Sequence, residues 1–324
     1  MRAIVIRNYG APDVLEIETM EPRRLGPGEV AVDVHHAGVN FMDTGVRRGM
    51  LWRDRELPLV PGVEGVGRVA ELGDGVQDLV VGQRVAWVYA PGSYADRLIA
   101  PAASLVPVPE AISDETAAAA MLQGLTANHI ATRFYETRPG DIVLVHAAAG
   151  GVGSLLCGIV KMRGGTVIGR VSSAAKADAA REAGADHVII DADGHFAEQA
   201  IAASEGVGVH AVFDGSGATT FADSLASLRP LGTFAYYGPV LGAPPPLNVA
   251  TMQKSIKIGF PIFSDSLSSR AALLERSAEL FDWIERGALR IRIGGHYPLQ
   301  NAAQAHLDLE SRATTGKLLL DMAD

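Results

Sequence analysis

Cysteine is almost absent from this chain: 324 residues hold a single one, Cys157. An intrachain disulfide is therefore excluded, as is a metal lobe built from several thiolates. Cys157 lies in an apolar helical stretch, where a small thiol packs as an inert hydrophobe. Basic residues are also in short supply, with 28 Lys and Arg against 37 Asp and Glu and a formal net charge of -9. A nucleic-acid backbone or an anionic membrane as main partner demands the opposite balance. Local cations can still grip a small anion. No stretch reaches the roughly 18 consecutive apolar residues of a membrane span. Met1-Arg2-Ala3-Ile4-Val5-Ile6 enters a strand-like run directly, without the apolar core and cleavage site of a secretory signal. A reducing, cytoplasmic setting is the expectation.

The remaining composition, 48% apolar and 20% charged, is that of an ordinary folded chain. At roughly 150 residues per domain, the length predicts about two domains. Up to Pro109 the pattern is short β runs broken by Gly and Pro, at 3–6, 29–34, 65–72, 84–88 and 94–100. That spacing predicts a compact, mostly antiparallel barrel. Ser113 followed by Asp114 and Glu115 marks a helix start, with a capping oxygen and early acids facing the helix dipole. Helix is expected from there to about 136, interrupted near Gly124. Strands at 142–145, 166–170, 187–190, 210–214 and 232–237 then alternate with helices near 151–163, 174–183, 196–203 and 219–228. Repeated β-α-β units of this length predict a parallel sheet wrapped by helices. A last strand over 253–260, a helix over 268–286, a helix near 299–311 and a strand near 317–320 complete the reading.

The strand at 142–145 runs into Ala148-Ala149-Gly150-Gly151-Val152-Gly153. This fits G-x-G-x-x-G with alanine first, between a strand and a helix as the motif requires. Gly150 lets the backbone approach a pyrophosphate, Gly153 lets the helix pack closely on the strand, and the helix N-terminus offers amide N–H groups. The end of the second strand selects the cofactor. A carboxylate there would take the ribose hydroxyls of NAD, whereas a 2′-phosphate needs cations and hydroxyls. The chain offers Arg170, Ser172, Ser173 and Lys176, with no carboxylate until Asp178. NADPH is therefore favoured over NADH, against the bland alternative of a solvated loop.

Gly38-Val-Asn-Phe-Met-Asp43, Pro61-Gly-Val-Glu-Gly-Val-Gly67, Gln123-Gly-Leu-Thr126, His146-Ala-Ala-Ala-Gly-Gly-Val-Gly153 and Glu310-Ser-Arg-Ala-Thr-Thr-Gly-Lys317 occur in that order. Together they resemble the quinone oxidoreductases, relatives of zeta-crystallin in the medium-chain dehydrogenase/reductase superfamily, over nearly the whole chain. The resemblance implies an α/β fold with two parts. One is a discontinuous GroES-like β-barrel catalytic domain, 1–119 and 265–324. The other is a Rossmann domain with a doubly wound parallel sheet, 120–264. The active site lies in the cleft where nicotinamide enters. Asn40, Phe41, Met42, Asp43 and Thr44 would line the nicotinamide end, with Asn40 and Asp43 as polar anchors, and Thr126 would stand nearby. Val152 would lie at the pyrophosphate and Ser172, Ser173 and Lys176 at the 2′-phosphate. Ser216, Tyr237 and Gly238 would flank the cofactor, and Arg312 would add a cation. Each has a plainer alternative: Asp43 caps a helix, Arg312 pairs with a surface carboxylate, Tyr237 is core.

Zinc-dependent members of the superfamily carry Cys where this chain has Asn40 and His where it has Val63, so no metal is expected. Glu64 is read as a structural carboxylate. His35 and His36 resemble a metal pair, but adjacent strand residues point to opposite faces. Without a Lewis acid, alcohol oxidation is difficult. A quinone is already electrophilic, so a well-placed nicotinamide delivers hydride directly. Some positions depart from the family pattern. His129 and Asp191 stand where relatives often place tyrosines, and Phe260 stands where some carry arginine. His129 either donates a proton or is simply packed. Asp191 would repel a nearby phosphate. Trp52 either stacks on an aromatic substrate or fills a core. NADPH-dependent reduction of a quinone or other electrophilic acceptor leads. Enal or enone C=C reduction follows, then a non-catalytic NADPH-binding sensor or structural protein, and a zinc alcohol dehydrogenase comes last. A homodimer is expected, with Ser255–Phe260 pairing edge to edge.

Overall fold

The computed structural model describes residues 1–322, so the last two residues of the expected 265–324 segment lie outside the described residues. Two compact units divide the chain. The first comprises Met1–Leu122, Leu267–Glu285 and the stretch from Ile291 onward; the second comprises Gln123–Ser266 and Arg286–Arg290.

The first unit opens with the antiparallel pair β1 (Arg2–Val5) and β2 (Glu16–Thr19). It continues through β3 (Glu29–Val39), helix α1 (Phe41–Arg47), β4 (Glu64–Leu72), β5 (Arg84–Val88), β6 (Arg97–Pro101) and β7 (Leu105–Pro107). Helix α2 runs from Asp114 to His129. Gly124 does not interrupt it, because the roughly 1 kcal/mol cost of a helical glycine is offset by packing among buried neighbours. The irregularity comes later, as a π-helical turn over Ile130–Phe134.

In the second unit, β8 (Ile142–His146), α3 (Gly151–Met162), β9 (Thr166–Val171), α4 (Ala177–Glu182), β10 (His187–Ile190), α5 (Ala197–Ala203), β11 (Val209–Asp214), α6 (Phe221–Ser227), β12 (Leu228–Tyr236) and β13 (Lys257–Gly259) follow. Every pairing is parallel, in the order β10-β9-β8-β11-β12-β13. This is the doubly wound order in which ligands bind beyond the strand ends at the switch point, here between β8 and β11. Val143, Leu144 and Val145 are fully buried, as expected of a strand covered on both faces. β13 is shorter than the expected 253–260, because an edge strand is held from one side only.

The chain returns to the first unit with α7 (Arg270–Glu285), β14 (Ile293–Pro298), α8 (Ala302–Ser311) and β15 (Lys317–Asp321). Its larger sheet runs β14-β15-β3-β4-β5-β7, with β6 also on β3. β3 is the spine: one edge pairs with β4, and the other pairs first with β6 and then, over His36–Val39, with β15. The sheet is antiparallel except where β14 runs parallel to β15. Its core gathers Val30, Val32, Val34, Trp87, Tyr94 and Leu320.

Candidate active site

In the second unit, β8 leads into a tight turn in which Gly150 N–H donates to the Ala147 carbonyl at 2.7 Å. Gly150 is the N-cap of α3. The first-turn amides of a helix have no intrahelical acceptor, so those of Gly151, Val152 and Gly153 are oriented for an anion. Glycine is required here by packing. A Cβ at Gly151 would collide with the Gln123 amide, and one at Gly153 with the Ala147 carbonyl. Ala148 is fully buried beneath the turn. These features fit a dinucleotide pyrophosphate.

At the end of β9, Arg170 and Asp191 form an ion pair at 2.6 Å, both nearly inaccessible. Asp191 also accepts from Gly194 and His195 N–H groups at 3.0 Å. Burial opposes ionisation of Asp191, but the Arg170 guanidinium and these amides outweigh it and hold the carboxyl below its usual range. The guanidinium expected to serve a phosphate is thus engaged with the carboxylate expected to repel one. Beside them Ser172, Ser173 and Lys176 are half-buried, with Lys176 Nζ 3.5 Å from Ser172 Oγ. One ammonium and two hydroxyls suit a 2′-phosphate.

Asp214, at the end of β11, organises the next loop, a role sequence reading missed. It accepts from Ser216 N–H at 2.7 Å, Thr220 Oγ1 at 2.7 Å and Ser224 Oγ at 2.9 Å. Ser224 in turn lies 2.9 Å from His146 Nε2. Tyr237 N–H donates to the Asp214 carbonyl at 2.8 Å. Ser216, half-buried Tyr237 and Gly238 therefore sit together beyond β11 and β12. Thr126 and His129 are half-buried on α2. His129, at the junction with the π turn, has a buried Nδ1 with no hydrogen-bond partner. Burial pushes its pKa down, reinforced by Arg133 and opposed by Asp265.

In the first unit, Asn40 follows β3 and is the N-cap of α1. Its Nδ2 donates to Glu64 Oε2 at 2.9 Å, and its Oδ1 accepts from Lys317 Nζ at 2.6 Å. Lys317 Nζ also donates to Glu64 Oε2. The Leu122 N–H donates to the other Glu64 oxygen at 2.7 Å. All three side chains are essentially buried, so a carboxylate, an ammonium and an amide satisfy one another. Lys317 ends the Glu310–Lys317 segment, and its partners Asn40 and Glu64 are far away in sequence. Asp43 accepts from Asn40 N–H at 2.8 Å and Tyr94 hydroxyl at 3.0 Å, so it caps α1. Its Oδ1 is unpartnered. Burial pushes its pKa up to about 7, against the lowering effects of the Asn40 N–H, Lys317 and Tyr94. Phe41 is exposed, Met42 half-buried and Thr44 buried. Trp52 takes a left-handed backbone, and the Arg55 guanidinium lies 4.5 Å from its ring centroid. Exposed Arg312 is the left-handed cap of α8.

Family models match both regions: "Alcohol dehydrogenase GroES-like domain" over residues 26–110 and "Zinc-binding dehydrogenase" over 183–320. A quinone oxidoreductase of Pseudomonas aeruginosa is 37% identical over 317 residues, covering 96% of this chain and 97% of its own. A 2-haloacrylate reductase of Burkholderia is 36% identical over 326 residues, covering 98% of each. The structure of Escherichia coli quinone oxidoreductase complexed with NADPH superimposes with a TM-score of 0.95 at 35% identity, covering 99% of this chain and all of that one.

Proposed function

Because the chain belongs to the quinone oxidoreductase family of the medium-chain dehydrogenase/reductase superfamily, we propose that it reduces a quinone with NADPH, by direct hydride transfer without catalytic zinc. NADPH supplies the hydride when bound. The observation that carries the zinc-free reading is the Lys317 ammonium hydrogen-bonded to both Asn40 and Glu64. Position 40, where zinc-dependent members of the superfamily carry a thiolate, holds a neutral amide, and the local positive charge is a lysine's. Zinc prefers a tetrahedral set rich in Cys and His, and beside the Glu64 carboxylate this cluster offers only an amide and an ammonium.

In this reading the amides of Gly151, Val152 and Gly153 bind the pyrophosphate, and Ser172, Ser173 and Lys176 bind the 2′-phosphate. Arg170 orients that strand end by neutralising Asp191. Ser216, Tyr237 and Gly238 flank the cofactor, while Asn40, Phe41, Met42, Asp43 and Thr44 serve the nicotinamide end. The first unit is the catalytic domain and the second the cofactor domain, with boundaries a few residues from the expected 1–119, 265–324 and 120–264: 120–122 fall in the first unit, and 265–266 and 286–290 in the second. His129 or water protonates the developing oxyanion, and Trp52 faces the acceptor. Among the described residues no helix is long and apolar enough to cross a membrane; we assign the enzyme to the cytoplasm. Ile258, Phe260 and Ile262 are exposed at the β13 edge, 39%, 54% and 47% accessible, which supports a homodimer through that edge.

The 2-haloacrylate reductase relative favours a second reading, reduction of an activated C=C bond on the same site. Steady-state turnover of 1,4-benzoquinone and of a small enone with NADPH separates the two. Higher kcat/KM on the quinone is expected. Turnover of neither acceptor, with NADPH or NADH, sinks both readings.

A further inference from the structure

The sheet face turned away from the barrel core carries a second polar cluster. In β15, Leu318 and Leu320 belong to the core, so alternation sends Lys317, Leu319 and Asp321 to the other face. In β3, Ala37 and Val39 are core, and His36 and Gly38 share the opposite face. Asp321 is the cross-strand partner of His36. On the other side of β15, His296 of β14 is in register with Leu319, one same-face step from Asp321. The three side chains meet there. His36 Nδ1 lies 2.7 Å from Asp321 Oδ1, and His296 Nδ1 lies 3.1 and 3.2 Å from the two carboxylate oxygens. One ligand atom from each residue lies within 4.8 Å of the other two.

We propose that His36, His296 and Asp321 form a binding site for a divalent transition-metal ion, with zinc as its representative. Two imidazole nitrogens and one carboxylate oxygen are the donors such ions favour, whereas magnesium and calcium prefer oxygen alone. Three protein ligands leave one tetrahedral position for water. Bonds of about 2.0–2.1 Å need donors roughly 3.3 Å apart, so His36 Nδ1 and Asp321 Oδ1, now 2.7 Å apart, must open by about half an ångström, while every donor pair already lies within 4.8 Å. All three ligands stand on paired strands, which hold them more firmly than loops would. Without metal each Nδ1–H donates to the Asp321 carboxylate; binding replaces these hydrogen bonds, with the imidazole proton carried on Nε2 and the Nδ1 lone pair given to the ion. Side-chain accessibilities of 20%, 38% and 27% for His36, His296 and Asp321 give an ion a route in.

The site is separate from the Asn40–Glu64–Lys317 cluster. Lys317 and Asp321 are four residues apart on one strand, roughly 13 Å at about 3.3 Å per residue, with buried Leu319 between them. The ion therefore acts as a clamp across three strands and does not touch the reacting atoms. It joins residues 285 positions apart in sequence.

Calorimetric titration of untagged, chelator-stripped full-length protein with zinc chloride tests this. One zinc per chain is expected, with the thermal midpoint raised on binding. His296→Gln and Asp321→Asn should each weaken zinc affinity by at least about tenfold, with NADPH-dependent quinone turnover unchanged. Absence of saturable binding overturns the proposal, and so does affinity in both variants within about threefold of wild type. If the variants do not fold, cobalt(II) titration of the wild-type protein decides. Ligand-field bands without a thiolate charge-transfer band support the site. A thiolate band, or no spectrum, overturns it.

Discussion

Arg170 and Asp191 lie 2.6 Å apart, each less than a tenth exposed, so the cation ending β9 neutralises the carboxylate that follows β10. The repulsion that Asp191 would exert on a 2′-phosphate is thereby cancelled. In the proposed site, recognition of that phosphate falls to Lys176 and the two serines. Replacing Lys176 with alanine removes a charge-assisted contact of about 1.5–3 kcal/mol. The KM for NADPH should rise at least about tenfold, with the KM for NADH unchanged. Equal effects on both cofactors in steady-state kinetics would place Lys176 outside the phosphate site.

Lys317 holds the buried cluster neutral, and this makes it sensitive to one-sided change. Lys317→Met leaves Glu64 buried and uncompensated, which should cost about 3–5 kcal/mol. The double variant Lys317→Met/Glu64→Gln removes both charges and should regain most of that loss. Urea unfolding of the three proteins measures it. A single variant within about 1 kcal/mol of wild type would show that the carboxylate finds water or a proton instead.

The pH dependence of stability should carry two signatures of opposite sign. Asp43 has its pKa pushed by burial from 3.8 up to about 7. Between about pH 4 and 7 the folded protein keeps a proton that the unfolded chain releases, so this group removes stability as pH rises. His146 is pushed down by burial from 6.5 to about 4, partly opposed by Asp214. From about pH 6.5 down to 4 the unfolded chain takes a proton the folded protein refuses, so His146 removes stability as pH falls. Wild type should lose stability relative to Asp43→Asn on going from pH 4 to 7, and relative to His146→Asn on going from pH 6.5 to 4. Each slope reaches up to about 1.4 kcal/mol per pH unit. Parallel stability curves would refute the corresponding assignment.

The exposed edge of β13 predicts a concentration-dependent assembly. Light scattering at micromolar protein should give a dimer, and Ile258→Lys/Phe260→Lys should give monomers with unchanged far-ultraviolet dichroism. A dimer that survives both lysines would move the interface elsewhere.

What sequence could reveal followed from how locally each feature is encoded. The glycine turn is part of one contiguous strand, turn and helix, so the local geometry of Gly150 to Gly153 was legible. Cys157 sits within the same helix, and burial does push its thiol up to about 12, as suits an inert core residue. Asn40 and Asp43 were marked as polar anchors, but their partners are Glu64, Tyr94 and Lys317, brought together only by sheet register. The reading of His35 and His36 as facing apart was correct: His35 meets Asp114 and His36 meets Asp321. The contact of His36 with His296 through Asp321 was not legible, because a cluster drawn from three strands has no spacing signature. Gly124 misled for a similar reason, since propensity is a local quantity and the packing around α2 is not.

The pairing of β3 with β15 also sets an order of events on the ribosome. Val39 leaves the exit tunnel long before its partner Leu318. At roughly 5–20 residues per second, that interval lasts tens of seconds. All six strands of the parallel sheet emerge within it, so the nucleotide-binding unit can finish while the open edge of β3 still waits for its last neighbour. Until β15 emerges, a nascent chain can therefore hold one completed unit and one in which the edge of β3 is still open over His36–Val39.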